Sequence, residues 1–154
     1  MENENTNWGQ SVAGVVIKDN KVLLARHTYG PGKGKLIVPG GYIHFGETPQ
    51  DALKREYLEE TNVEVEPKNI IAIRFNMHDW YIVFDAEYLS GEARSDKDEN
   101  SEVVWMAIEE ALSRDDVPDL SKKMIQSAAH GREGLQYTEY QGRAETAPFS
   151  LYTA

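Results

Sequence analysis

The chain has 154 residues, 40% hydrophobic and 27% charged, which suits one globular domain with a real core. Its 16 basic and 26 acidic side chains give a formal net charge of −10, which argues against broad duplex nucleic-acid binding. The lack of any cysteine excludes disulfides, a thiolate zinc site and a cysteine nucleophile.

No stretch approaches the roughly 20 apolar residues of a membrane helix. The start MENENTNW lacks the basic and apolar regions of a signal peptide. A cytoplasmic protein with no membrane partner is therefore expected.

Residues 1–9 are expected to form a flexible N-terminus and residues 10–130 a single domain. Val12 to Lys18 and Val22 to Arg26 read as strands around the turn Asp19-Asn20. A glycine-rich loop follows, then Leu36-Ile37-Val38-Pro39-Gly40-Gly41, which ends in a sharp turn. The next element is a helix. Thr48 suits its N-cap, Pro49 its first position and Asp51 the first-turn acid, while Asn62 tolerates the left-handed conformation just past its end. Leu53 and Tyr57, spaced i, i+4, are expected to pack this helix on a sheet.

Ile70 to Met77 and Tyr81 to Tyr88 read as strands joined around His78-Asp79-Trp80, and 90–100 as a polar loop. Glu102 to Trp105 reads as a strand, Ala107 to Leu112 as a helix, and Asp119 to His130 as an amphipathic helix with Leu120, Met124 and Ile125 inward. The tail, 131–154, is polar yet carries Tyr137, Tyr140, Phe149 and Tyr152. It packs either on its own domain or on a second subunit, the latter giving a homodimer. Interleaved strands and helices indicate an α/β (α+β) class, with a mixed β-sheet between helices.

On the first helix, Glu56, Glu59 and Glu60 fall within an arc of roughly 100°. Like charges at i, i+4 cost roughly 0.2–0.5 kcal/mol each, and the last turn of a helix prefers cations. Arg55 and Glu59 are the one i, i+4 ion pair within the segment, in the less favourable order. Two readings satisfy the pattern: a solvated surface helix, or a face that holds Mg²⁺ or Mn²⁺ through hard carboxylate oxygens.

Gly41, five residues, Glu47, seven residues, then Arg55-Glu56-Tyr57-Leu58-Glu59-Glu60-Thr61-Asn62-Val63 resembles the signature box of the Nudix hydrolases. Asn62 stands where that family usually has Gly, and Tyr57 where it usually has a smaller aliphatic residue. Leu36 replaces a frequent Trp. The surrounding order of elements extends the resemblance over most of residues 10 to 130. It implies an αβα sandwich and the hydrolysis of a nucleoside diphosphate linked to another moiety, X, by water attacking a phosphorus. It further implies a nucleotide-derived small-molecule substrate and divalent ions held by Glu56, Glu59, Glu60 and the Gly41 carbonyl. Arg55, Glu56 and Glu59 are the implied catalytic residues, with Arg55 orienting a glutamate and Glu47 tying the loop to the helix.

The general base varies in that family. Glu56 or Glu59 is one choice and a loop acid (Asp98, Glu99 or Glu102) another, with Glu102 favoured and counted among the metal ligands. Arg26, Lys35 and Tyr81 are the expected substrate contacts. His78 occupies the position of a proline that marks ADP-ribose hydrolases, and Tyr81 loosely meets a tyrosine of the diadenosine-polyphosphate hydrolases. The competing reading is a Nudix-fold binding module that senses a nucleotide without cutting it.

Overall fold

β1 (Gly9–Lys18) and β2 (Lys21–His27) leave the Asp19-Asn20 turn as an antiparallel pair. Both turn residues have positive φ, 52° and 62°, the backbone that matches a two-residue hairpin to strand twist. After Ile17↔Val22 the strands diverge, and the wedge between them is filled by β3 (Leu36–Ile37) on β2 and β4 (Gly40–Tyr42) on β1. A Cβ at Gly40 would lie 2.1 Å from the carbonyl oxygen of Val12, so only glycine permits this approach. This computed structural model describes residues 9–130, 135–147 and 149–154. The expected flexible N-terminus therefore lies outside the described residues, apart from Gly9, which already pairs with Asp79.

β5 (Glu64–Phe75) and β6 (Asp79–Ser90) form a long hairpin, and β6 runs parallel to β1 while its other partner is antiparallel. β7 (Asn100–Ala107) pairs with β2. The sheet order is β3-β2-β1-β6-β5-β9-β8, where β8 is Gln136–Thr138 and β9 is Ser150–Thr153. α1 (Pro49–Thr61) covers one face, and α2 (Ile108–Ser113) and α3 (Asp119–His130) the other. Alternation along β1 produces the two cores. Val12 and Val16 meet Leu53 and Tyr57 of α1, while Ala13 and Val15 meet Ala111, Met124 and Ile125. The fold is the expected mixed sheet between helices. Among the described residues, no helix is long and apolar enough to cross a membrane.

β1 and β7 extend beyond the residues read as strand, to Gly9–Lys18 and Asn100–Ala107, and two further boundaries on the β5–β6 hairpin differ from the sequence reading. β5 starts at Glu64, six residues before Ile70, and accommodates Pro67 through register shifts between Pro67 and Ala72. A proline cannot donate to the ladder, so a bulged edge is where a strand tolerates one. The hairpin connection is Asn76-Met77-His78 rather than His78-Asp79-Trp80. The Asn76 side-chain oxygen accepts the backbone N–H groups of His78 and Asp79, at 2.8 and 2.9 Å, and closes the turn there. The tail packs on its own domain: β9 adds to the edge of β5, and Leu151 is fully buried.

Candidate active site

α1 is built as its sequence suggests. The Thr48 hydroxyl accepts the N–H of Asp51 at 3.1 Å, and Asn62 adopts the left-handed conformation at φ 64°. Tyr57 lies fully buried, with its hydroxyl donating to the carbonyl of Gly14. With Leu53 and Tyr57 held against β1, Glu56 and Glu60 are turned to the seam between helix and sheet and are buried in it.

Arg55 organises the entry to this seam. Its Nε and one terminal nitrogen grip both oxygens of Glu47, at 2.7 and 2.9 Å, and that second nitrogen also reaches the Tyr42 carbonyl at 3.1 Å. The other terminal nitrogen donates to Glu56 at 2.8 Å and, more weakly, to Glu59 at 3.4 Å. Glu47 also accepts the backbone N–H of His44, and together these hydrogen bonds hold its carboxyl down at about 2. A Cβ on Gly41 would fall 2.5–2.7 Å from the Glu56 carboxyl group, so the missing side chain leaves room for that carboxylate.

The third wall comes from a loop. The Asp96 carboxylate accepts the N–H groups of Asp98 and Asn100. Thr28 donates through its hydroxyl to the Asp98 carbonyl and through its N–H to the Glu99 carbonyl. Buried Asn100 donates its amide to the Glu60 carbonyl at 2.9 Å. These contacts seat the polar loop against α1 and β2 and bring Glu99 in. Carboxylate oxygens of Glu56, Glu60 and Glu99 all lie within 4.8 Å of one another.

Three carboxylates so close repel one another. Glu60, only 3% exposed, has its carboxyl raised well above the usual range, first by burial and then by the charge of Glu56. Burial and Glu56 raise Glu99 as well. One Glu60 oxygen, Oε2, is buried with no hydrogen-bond partner, an unmade bond that costs roughly 1–3 kcal/mol or more for a charged group. A divalent cation removes both difficulties. The donor set is all carboxylate oxygen, which matches Mg²⁺ or Mn²⁺ rather than a soft metal.

The remaining sequence candidates fall in different places. Glu59 is largely exposed but close enough to act on Glu99 through its charge. The structure does not bring Glu102 to the cluster. On β7, Val104 and Met106 face α2 and α3 while Val103 and Trp105 face α1, so position 102 belongs to the side away from Glu56. There Glu102 pairs with Arg26 at 3.0 Å. Arg26 also binds the Gly34 carbonyl and Asp116, so all three of its guanidinium nitrogens are engaged, one of them latching the glycine loop. Lys35 is exposed on the wall of a cavity of about 320 Å³. Tyr81 lines a neighbouring cavity of about 460 Å³, with the Arg74 guanidinium 5.1 Å from its ring centre.

The carboxylates open into a cleft of about 460 Å³ walled by His27, Tyr29, Tyr42 and the glycine loop. Sequence reasoning overlooked Asp96 and Asn100, whose signal was the turn-forming pattern Asp96-Lys97-Asp98-Glu99-Asn100.

The family model of the NUDIX domain matches residues 8–128, and the chain belongs to that family. It is similar to an ADP-ribose pyrophosphatase of Methanocaldococcus jannaschii, with 33% identity over 94 residues, covering 57% of this chain and 56% of that protein. An NAD-capped RNA hydrolase of Photorhabdus laumondii is 34% identical over 91 residues, covering 57% of this chain and 35% of that protein. The matches thus span about half or less of these relatives. Among solved structures, a NUDIX hydrolase from Nitrosomonas europaea superposes with a TM-score of 0.67 at 24% identity, over 77% of this chain and 86% of the other. That likeness supports the fold.

Proposed function

We propose that this protein is a cytoplasmic, divalent-metal-dependent hydrolase that cleaves a pyrophosphate bond in a nucleoside diphosphate linked to another moiety. The observation that carries the reading is the convergence of Glu56, Glu60 and Glu99 within 4.8 Å, with one buried Glu60 oxygen left unpaired. A relative named as an ADP-ribose pyrophosphatase supports a pyrophosphate bond, and another named as an NAD-capped RNA hydrolase supports hydrolysis of a nucleotide derivative.

In this reading Glu56, Glu60 and Glu99 hold Mg²⁺ or Mn²⁺, with Glu59 and the Gly41 carbonyl as the outer contributors. The ions, when bound, neutralise phosphate charge and acidify a water. Arg55 keeps the Glu56 carboxylate in one orientation, because its guanidinium is itself fixed by the bidentate grip of Glu47. Glu99, exposed on the wall of the cleft, offers the oxygen not given to the ion as acceptor for a proton of the attacking water.

The test is a substrate panel assayed with Mg²⁺, with Mn²⁺ and with a chelator. It should include nucleotide sugars, dinucleoside polyphosphates, nucleoside triphosphates and NAD-capped RNA. Metal-dependent turnover that disappears in both Glu56→Gln and Glu60→Gln is expected. Tight binding without product across the panel would instead favour the nucleotide-sensing module.

A further inference from the structure

The carboxylate cleft continues into a second compartment of about 460 Å³, the two sharing Pro31, Ile37 and Tyr42 as common walls. Tyr42, Tyr81, Ile37 and Leu120 give it aromatic and aliphatic sides. Its outer wall is made by Arg143 and Thr146, which lie beyond the family domain in the C-terminal segment. The Thr146 carbonyl accepts the N–H of Met77 at 3.1 Å and so ties that segment to the β5–β6 hairpin. Aromatic and aliphatic sides combined with placed polar groups suit a planar heterocyclic ring.

Among the neutral side chains there, Asn76 has a fixed hydrogen-bonding orientation. Asn76 lines the compartment and is 8% exposed. Its Oδ1 faces two backbone N–H groups, those of His78 and Asp79. An amide NH₂ cannot accept those bonds, so the orientation of the side chain is determined. Nδ2 is left pointing the other way, with no hydrogen-bond partner among the described residues. The nearby Asp79 carboxylate is engaged by Arg74 through one oxygen and by Ser11 through the other. Serine and tyrosine hydroxyls in the wall rotate to suit either kind of partner. Asn76 does not.

We propose that this compartment receives the base of the substrate and that Asn76 Nδ2 makes it select a keto base over the corresponding amino base. The inference rests on the reading that the cleft holds a nucleoside diphosphate derivative. A keto oxygen facing Nδ2 completes a hydrogen bond. An amino group in that place sets donor against donor and forms no bond with Nδ2, the mismatch that a site built to hydrogen-bond a keto oxygen rejects.

The experiment is a calorimetric titration of the full chain in magnesium buffer with two ligand pairs that exchange a keto for an amino group, together with the protonation of the adjoining ring nitrogen. These are uridine against cytidine monophosphate, and inosine against adenosine monophosphate. Monophosphates contain no phosphoanhydride bond, so binding is read without turnover. We expect the keto member of each pair to bind roughly tenfold more tightly, the scale of one hydrogen bond. Asn76→Asp retains an acceptor for His78 and Asp79 and replaces the donor, so the preference should vanish or reverse. In the labelled wild-type protein, the Asn76 side-chain NH₂ resonances should shift with uridine monophosphate and stay in place with cytidine monophosphate, a readout that does not depend on the variant folding. Equal affinities within both pairs, absence of binding by all four, or an unchanged preference in Asn76→Asp would overturn the proposal. Turnover of the substrate panel without keto preference removes this inference alone, whereas keto preference without turnover removes the hydrolase reading alone.

Discussion

The hydroxyl of Tyr57 donates to the carbonyl of Gly14 at 2.5 Å, across the face where α1 rests on β1. A Cβ at Gly14 would lie 2.9 Å from Leu53 Cδ2 and 3.3 Å from Tyr57 Cε2, so the bare glycine and the large ring are a matched pair. The family usually places a smaller aliphatic residue at position 57. Here the extra volume is taken up by Gly14, and the acidic face of the helix keeps its direction toward the cleft.

Gly14→Ala should destabilise the fold by about 1–3 kcal/mol through overpacking, and Tyr57→Phe by about 1 kcal/mol through the lost hydrogen bond. Urea denaturation checks both. Turnover per folded molecule should remain close to wild type in Tyr57→Phe, because the ring still supports the helix.

Glu60 provides a test of the metal site that needs no substrate. Its carboxyl is raised in the folded, metal-free protein, so the folded state binds the proton more tightly than the unfolded chain. Stability is therefore fully present below the ordinary value of about 4.5 and declines as pH rises above it. In chelator at pH 8, Glu60→Gln should melt at least about 2 °C higher than wild type. Added Mg²⁺ or Mn²⁺ should raise the melting temperature of the wild type and leave the variant nearly unmoved. A metal-free variant less stable than wild type at pH 8 would contradict this account.

Glu99 and Glu102 are three residues apart and should behave differently. Glu99→Gln is expected to lower kcat on the order of 10²-fold, as for a group that handles the proton or the ion. Glu102→Gln should leave kcat unchanged and cost at most about 1 kcal/mol, since its pair with Arg26 is half-exposed. Steady-state kinetics on a substrate from the panel, alongside melting curves, separates the two.

Arg55→Lys removes the fork that holds Glu47 and Glu56 at once. A fall in kcat of roughly 10–100-fold, with the fold intact, is the expected result for a residue that orients a metal ligand. The acid limb supplies a second reading. The Glu47 carboxyl is held at about 2 in the folded protein, below its ordinary 4.5, so its contribution to stability is present above 4.5 and lost as pH falls toward 2. Glu47→Gln should flatten the fall in melting temperature over that range.

Ending the chain at His130 should expose the edge of β5 now covered by β9 and remove Leu151 from the core. Unpaired edges template association. The shortened protein is expected to melt lower and to aggregate, which light scattering during a thermal ramp would register.

Much of the site could be read along the chain. The capping of α1 by Thr48, its end at Asn62, its inward Leu53 and Tyr57 and its carboxylate face are local consequences of helical spacing, and the structure reproduces them. The split between Glu99 and Glu102 could not be read this way. It follows from which side of β7 Glu102 takes and from how Asp96, Thr28 and Asn100 dock the loop that carries Glu99, contacts between residues up to 70 apart in sequence. The same holds for Arg26, a basic residue beside a glycine loop that the fold uses as a latch.

The sequence by itself determined the chemistry of one wall, because a helix's repeat converts spacing directly into a shared face. Only the tertiary structure decided which loop carboxylate completes the cluster, which cations are already occupied and that the tail encloses the second compartment. Those outcomes depend on strand register and on burial, and neither is a property of any short stretch of chain.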